Sequence, residues 1–157
     1  MSGERLADEL LEARERFLAG LGAIAPESMT TPGLIGEWSA RELVAHLGYW
    51  VGHAAEIIHA VEEGRADEVG IDQPPTDEVN DTVARIARQT DFRTVGKREA
   101  ASVDALVERL RALDLELLSV ELPDGQTLEE AVREDGPDHY REHAEELEAI
   151  LAERPHG

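Results

Sequence analysis

The stretch SARELVAHLGYWVGHAAEIIHAV, residues 39–61, decides the fold. Ser39 and Glu42 stand at capping-box spacing just before an apolar run that starts at Leu43. At that spacing each side chain satisfies a backbone N–H that a helix start leaves open. Leu43, Leu47, Trp50, Ala54, Ile57 and Val61 then share one face at about 100° per residue. The pattern predicts a long helix with one buried stripe and Gly64 as its stop. Measured from Leu43, His46 falls at about 300° and His53 at about 280°, on one flank of that stripe; His59 falls outside it. A histidine at such an edge is either a hydrogen-bonded boundary residue or a ligand, and spacing alone leaves both open.

Working outward, the same periodicity recurs on both sides. Leu6, Leu10, Ala13, Phe17, Leu21 and Ile24 mark an N-terminal helix that Pro26 and the polar run 27–32 end. GIDQPP, residues 70–75, is a connection, because two prolines do not fit a helix interior. Thr76, with Asp77 and Glu78 behind it, opens a third helix whose apolar side is Val79, Val83 and Ile86. A break at Gly96 precedes a further helix marked by Val103, Leu106, Leu110, Leu113 and Leu117. Pro123-Asp124-Gly125 is a turn signal. Thr127 and Glu130 repeat the capping box before a short helix, and Pro137 starts a last one running to about Glu153. No strand alternation is visible. The expectation is an all-α four-helix bundle with one or two short extra helices, residues 1–157 forming one domain.

Charge and composition narrow the function classes. The chain of 157 residues has 35 acidic and 15 basic side chains, a net charge of −20, and no cysteine. That balance argues against nucleic acid or an anionic membrane surface as partner, since both need clustered Lys and Arg. The longest uncharged stretch, Leu43–Ala55, is 13 residues and holds two histidines. A spanning helix needs about 20 apolar residues. The N-terminal segment is acidic and amphipathic rather than a secretory leader, so the expected setting is the cytoplasm. Without cysteine, no thiolate ligand or thiol nucleophile comes from the chain itself.

The remaining histidines cluster in the last helix. His139 and His143 are four residues apart, in line with Leu147 and Ile150 on the wheel. Glu142, Glu145 and Glu148 take the opposite, solvent side. Two imidazoles at this spacing can converge on one metal, and a third from a facing helix would complete a three-nitrogen set. His53, His59 and His156 read as structural or exposed.

Two blocks resemble the DinB/YfiT-like superfamily of small metal-binding four-helix bundles, which includes the N-terminal domain of mycothiol-dependent maleylpyruvate isomerase. One is Glu37-Trp38-Ser39-Ala40-Arg41-Glu42-Leu43-Val44-Ala45-His46-Leu47, followed by Trp50; the other is Asp138-His139-Tyr140-Arg141-Glu142-His143. The resemblance implies that His46, His139 and His143 bind a divalent metal, with zinc or nickel favoured and iron or manganese compatible. It implies a low-molecular-weight thiol cosubstrate, such as mycothiol or bacillithiol, used in S-transfer or isomerisation. It also implies a homodimer as a common state of such bundles. The alternative is a non-catalytic metal-binding bundle that sequesters a ligand or protects against stress. Catalytic residues beyond the ligands are not assigned.

One segment departs from the acidic background. Arg85, Arg88, Arg93, Lys97 and Arg98 lie within 14 residues. They are either an anion site for a substrate or thiol, with Arg85, Arg88 and Asn80 as contacts, or cations complementing a helix C-terminus. Tyr49 and Trp50 point different ways on their helix, so at most one lines a site with Asn80; Trp50 lies on the apolar arc and reads as core.

Overall fold

The computed structural model describes residues 2–153, so His156 lies outside the described residues. Six α-helices follow one another: α1 (Gly3–Gly22), α2 (Ala40–Glu62), α3 (Thr76–Arg88), α4 (Phe92–Ala112), α5 (Leu128–Asp135) and α6 (Pro137–Glu153). Three single 3₁₀ turns connect them. Among the described residues no strand forms; two isolated β-bridges, Ile35 with Trp38 and Glu121 with Thr127, tie two tight loops. The four long helices α1, α2, α4 and α6 make the bundle, with α2 packed on α4 and α1 on α6. The short helices α3 and α5 lean on α2. No helix among the described residues is long and apolar enough to cross a membrane.

Local signals in the sequence set most boundaries. The capping boxes at Ser39/Glu42 and Thr127/Glu130 are both formed, at the first turns of α2 and α5. Gly64, just past α2, has φ +77°, the left-handed conformation a helix stop requires. The stripe Leu6, Leu10, Ala13, Phe17, Leu21 and Ile24 is buried, as are Leu43, Leu47, Ala54, Ile57 and Val61 of α2. Each fully buried Leu or Phe contributes about 1.5–3 kcal/mol relative to exposure.

Three expectations need correction. Gly96 is no break: α4 begins at Phe92, with the Asp91 carboxylate accepting from the Thr94 N–H at 2.9 Å. A strong N-cap and the burial of Val95 and Val103 outweigh the roughly 1 kcal/mol that one glycine costs inside a helix. Helix α3 buries Ala84 and Ala87, while Val79 and Val83 are only half-buried and Ile86 is exposed. The small alanines let α3 approach α2, leaving Ile86 54% exposed. On α6 the buried line is Tyr140, Ala144 and Leu147, so His139 and His143 flank the core stripe rather than lie in it.

One close approach depends on glycine. A Cβ at Gly48 would stand 3.0 Å from the Cα of Glu99, so α2 and α4 meet here backbone to backbone. Glu99 is thereby held in the bundle interior, 3% exposed. Its carboxylate accepts from Arg14 Nη2 at 2.7 Å and from the Tyr140 hydroxyl at 2.8 Å. This network joins α1, α4 and α6. Burial, then the charge of Glu99, pushes the Tyr140 hydroxyl well above the usual phenol value.

Candidate metal centre

Two helices deliver three imidazoles to one place. His46 comes from the second turn of α2, one residue before the core position Leu47. His139 and His143 come from the first two turns of α6, on successive turns of one flank. One ligand atom from each lies within 4.8 Å of the others, a grouping that can hold a metal ion. The Nε2 atoms of His46 and His139 are 2.8 Å apart. The ring centroids are 4.7 Å apart for His46–His139, 5.5 Å for His46–His143 and 4.9 Å for His139–His143. The indole of Trp38 packs on His46 at 4.9 Å, fixing that ring from the loop before α2.

The electrostatics keep two of these rings, His46 and His139, neutral. Burial first, then the neighbouring His139 and His143, lowers His46 to about 3, with Asn80 opposing weakly. Burial and His143 lower His139 to about 4. Neutral imidazole is the form that offers a lone pair to a cation. The outer partners suit that role. The His139 ring bonds to the backbone of Asp135. His143 Nδ1 lies 3.2 Å from Glu146 Oε1, which assigns the proton to Nδ1 and leaves Nε2 free. His46 Nδ1 is buried and has no hydrogen-bond partner among the described residues. A set of three imidazole nitrogens, two of the rings oriented by outer hydrogen bonds, fits a divalent ion of the zinc or nickel type.

The cluster opens onto a cavity of about 370 Å³ lined by Trp50, Thr76, Asn80, Glu134, Asp135 and Glu142 besides the three histidines. Trp50 is therefore not core: it is half-buried, and its Nε1 donates to Asn80 Oδ1 at 2.8 Å. Asn80, singled out from the sequence, lines the cavity. Arg85 and Arg88 do not line it; Arg88 Nε lies 3.3 Å from Glu42 Oε1. Tyr49 is 42% exposed and borders a different cavity.

His53 has a more specific place than a structural or exposed residue. Its Nδ1 is 2.7 Å from Asp135 Oδ2, on a second cavity that shares Trp50, Thr76, Glu134 and Asp135 with the first. Burial opposes charge on His53, but the hydrogen bond and charge of Asp135 prevail and raise it above the usual imidazole value. Burial also raises Asp135, against the pull of His53. The position of His53 two turns after His46 was the available signal; its partner lies 82 residues away and left none. His59 is exposed and pairs at 2.9 Å with Glu63, the residue that follows its helix.

Fold and site together define a helical bundle with a three-histidine centre at the edge of its core. The chain belongs to the family of the mycothiol maleylpyruvate isomerase N-terminal domain, whose model matches residues 10–144. No curated protein matches it. Among solved structures it is similar to the colibactin self-resistance protein ClbS in complex with a dsDNA. That pair is 16% identical with a TM-score of 0.78, over 98% of each chain. It is also similar to an uncharacterised protein from Escherichia coli UTI89, 12% identical with a TM-score of 0.81, over 96% of this chain and 93% of that one. At these identities the likeness shows the fold alone, the all-α DinB-like bundle. The expectation that nucleic acid is not a partner rests on charge, and likeness to a protein crystallised with DNA gives it no support.

Proposed function

We propose that this protein is a divalent-metal-dependent enzyme that uses a low-molecular-weight thiol for S-transfer or isomerisation. In this reading His46, His139 and His143 are the ligands, and the chain works as one helical domain in the cytoplasm on small molecules. The observation that carries it is the convergence of three histidines, two of them held strongly neutral, on the wall of an open cavity. Zinc and nickel are the ions favoured, and mycothiol or bacillithiol are the thiols the family suggests. A bound divalent ion would supply Lewis acidity that lets a thiol lose its proton near neutral pH.

The chain's own groups do the positioning. Trp38 holds the His46 ring, while Asp135 and Glu146 orient His139 and His143. Trp50 occupies Asn80 Oδ1, which leaves the Asn80 amide N–H groups to donate. With no cysteine in the chain, the reacting sulfur is the cosubstrate's.

The test is to incubate zinc- or nickel-loaded protein with a small electrophile and mycothiol, bacillithiol or glutathione. Turnover above the buffer rate that disappears in His46→Ala supports the enzyme. Stoichiometric thiol binding without turnover would replace it with a sequestering bundle.

A further inference from the structure

We propose that a second ligand site, separate from the histidines, lies between α2, α3 and α4 and takes a small carboxylic acid with an apolar body. The site is a cavity of about 250 Å³ that shares no lining residue with the histidine cavity. Its walls are apolar: Ala45 and Gly48 of α2, Val83, Ile86 and Ala87 of α3, and Val95 of α4. At about 30 Å³ per water the space equals roughly eight waters, enough for a compact acid. Tyr49 and Ile86 border it and stay 42% and 54% exposed, so apolar surface here lacks a partner within the chain.

Two charged side chains line this cavity, Arg98 and Glu99. Arg98 lines it and is exposed, and Ser102 and Thr90 supply the other polar groups. Arg41 reaches the backbone carbonyl of Thr90 at 3.4 Å, and its Nε is buried without a partner. Neither Arg98 nor Arg41 takes part in an ion pair among the described residues. Arg5, Arg85 and Arg93 likewise have no ion pair among the described residues, so what is particular to Arg98 is its place in the wall of an apolar cavity. The lining carboxylate, Glu99, is already bound by Arg14 and Tyr140. An apolar pocket with a few convergent polar groups is the usual form of a small-molecule site, and guanidinium selects a carboxylate. The basic segment 85–98 thus contributes Arg98 to this cavity rather than to the histidines.

The experiment titrates ¹⁵N-labelled protein at neutral pH with hexanoate, hexan-1-ol and hexylamine. Hexanoate is expected to shift the amides of Gly48, Ala87 and Val95 saturably and to bind at least about tenfold more tightly than hexanol, with hexylamine weakest. Arg98→Gln, a change at an exposed side chain, should bring hexanoate down to the hexanol level. Val83→Phe, which narrows the cavity, should weaken both. Absence of saturable shifts, equal binding of the three probes, wild-type affinity in Arg98→Gln, or shifts centred on His139 would each overturn the proposal.

Discussion

Two of the polar constellations among the described residues are built on opposite plans. Glu99, Arg14 and Tyr140 form a closed network in which the carboxylate meets a guanidinium and a hydroxyl at 2.7 and 2.8 Å. His46, His139 and His143 form an open one: the rings face each other, one nitrogen has no hydrogen-bond partner among the described residues, and a cavity adjoins them. Tyr140 and His139 are neighbours in sequence, so α6 contributes to both, Tyr140 to the first and His139 and His143 to the second. Buried polar groups that satisfy each other fix a fold, whereas buried groups that satisfy each other badly need something from outside. The contrast assigns structure to the first and function to the second.

The largest effect should follow from breaking the closed network. Glu99→Ala strands Arg14 and the Tyr140 hydroxyl and should cost about 3–5 kcal/mol in denaturant unfolding. Arg14→Met with Glu99→Leu and Tyr140→Phe should recover to within about 2 kcal/mol of the original, because burying an ion pair is itself costly. A full loss of folding in that triple variant would show that the network does more than satisfy itself.

The histidines should behave differently. Zinc at about 100 times its Kd should add about 2.7 kcal/mol of stability to the natural chain and nothing to His139→Ala/His143→Ala. Calorimetry with and without metal separates the two.

Acid sharpens the comparison further. His46 and His139 are lowered to about 3 and about 4 from an ordinary 6.5. Between those values the unfolded chain binds more protons than the native one, so metal-free stability should fall as pH drops from 6.5 toward 4. The loss should be on the order of several kcal/mol and should flatten in His46→Gln/His139→Gln. A slope unchanged by those substitutions would mean that the rings are not held neutral by the fold.

The smallest effect concerns orientation. Glu146→Gln weakens the acceptor for His143 Nδ1 and should reduce metal affinity by about tenfold with little change in metal-free stability. A metal titration of both proteins checks this.

How much of this was legible in the sequence differs by element. The start of α2 was legible because Ser39 and Glu42 carry their own partners within one turn, and the same holds for Thr127 and Glu130. The start of α4 was misplaced because Gly96 stood out and the Asp91 cap did not. The three-histidine grouping was anticipated from His46 at the edge of one stripe and the His139/His143 spacing, with the family resemblance joining them. Its surroundings were not: Trp38 on His46, Glu146 on His143 and Asp135 between His53 and His139 depend on how loops and helix ends pack. Trp50 misled because the wheel places it among apolar positions, yet α3 presents Asn80 to its indole N–H and leaves it at a cavity wall.

The central claim is that the three histidines hold a divalent ion, and metal content tests it most directly. Protein purified without a histidine tag, loaded with zinc or nickel and dialysed, is expected to retain one ion per chain, and His139→Ala/His143→Ala to retain none while staying helical. Less than about 0.2 ion per chain in the natural protein, or full retention in the double variant, would contradict the account.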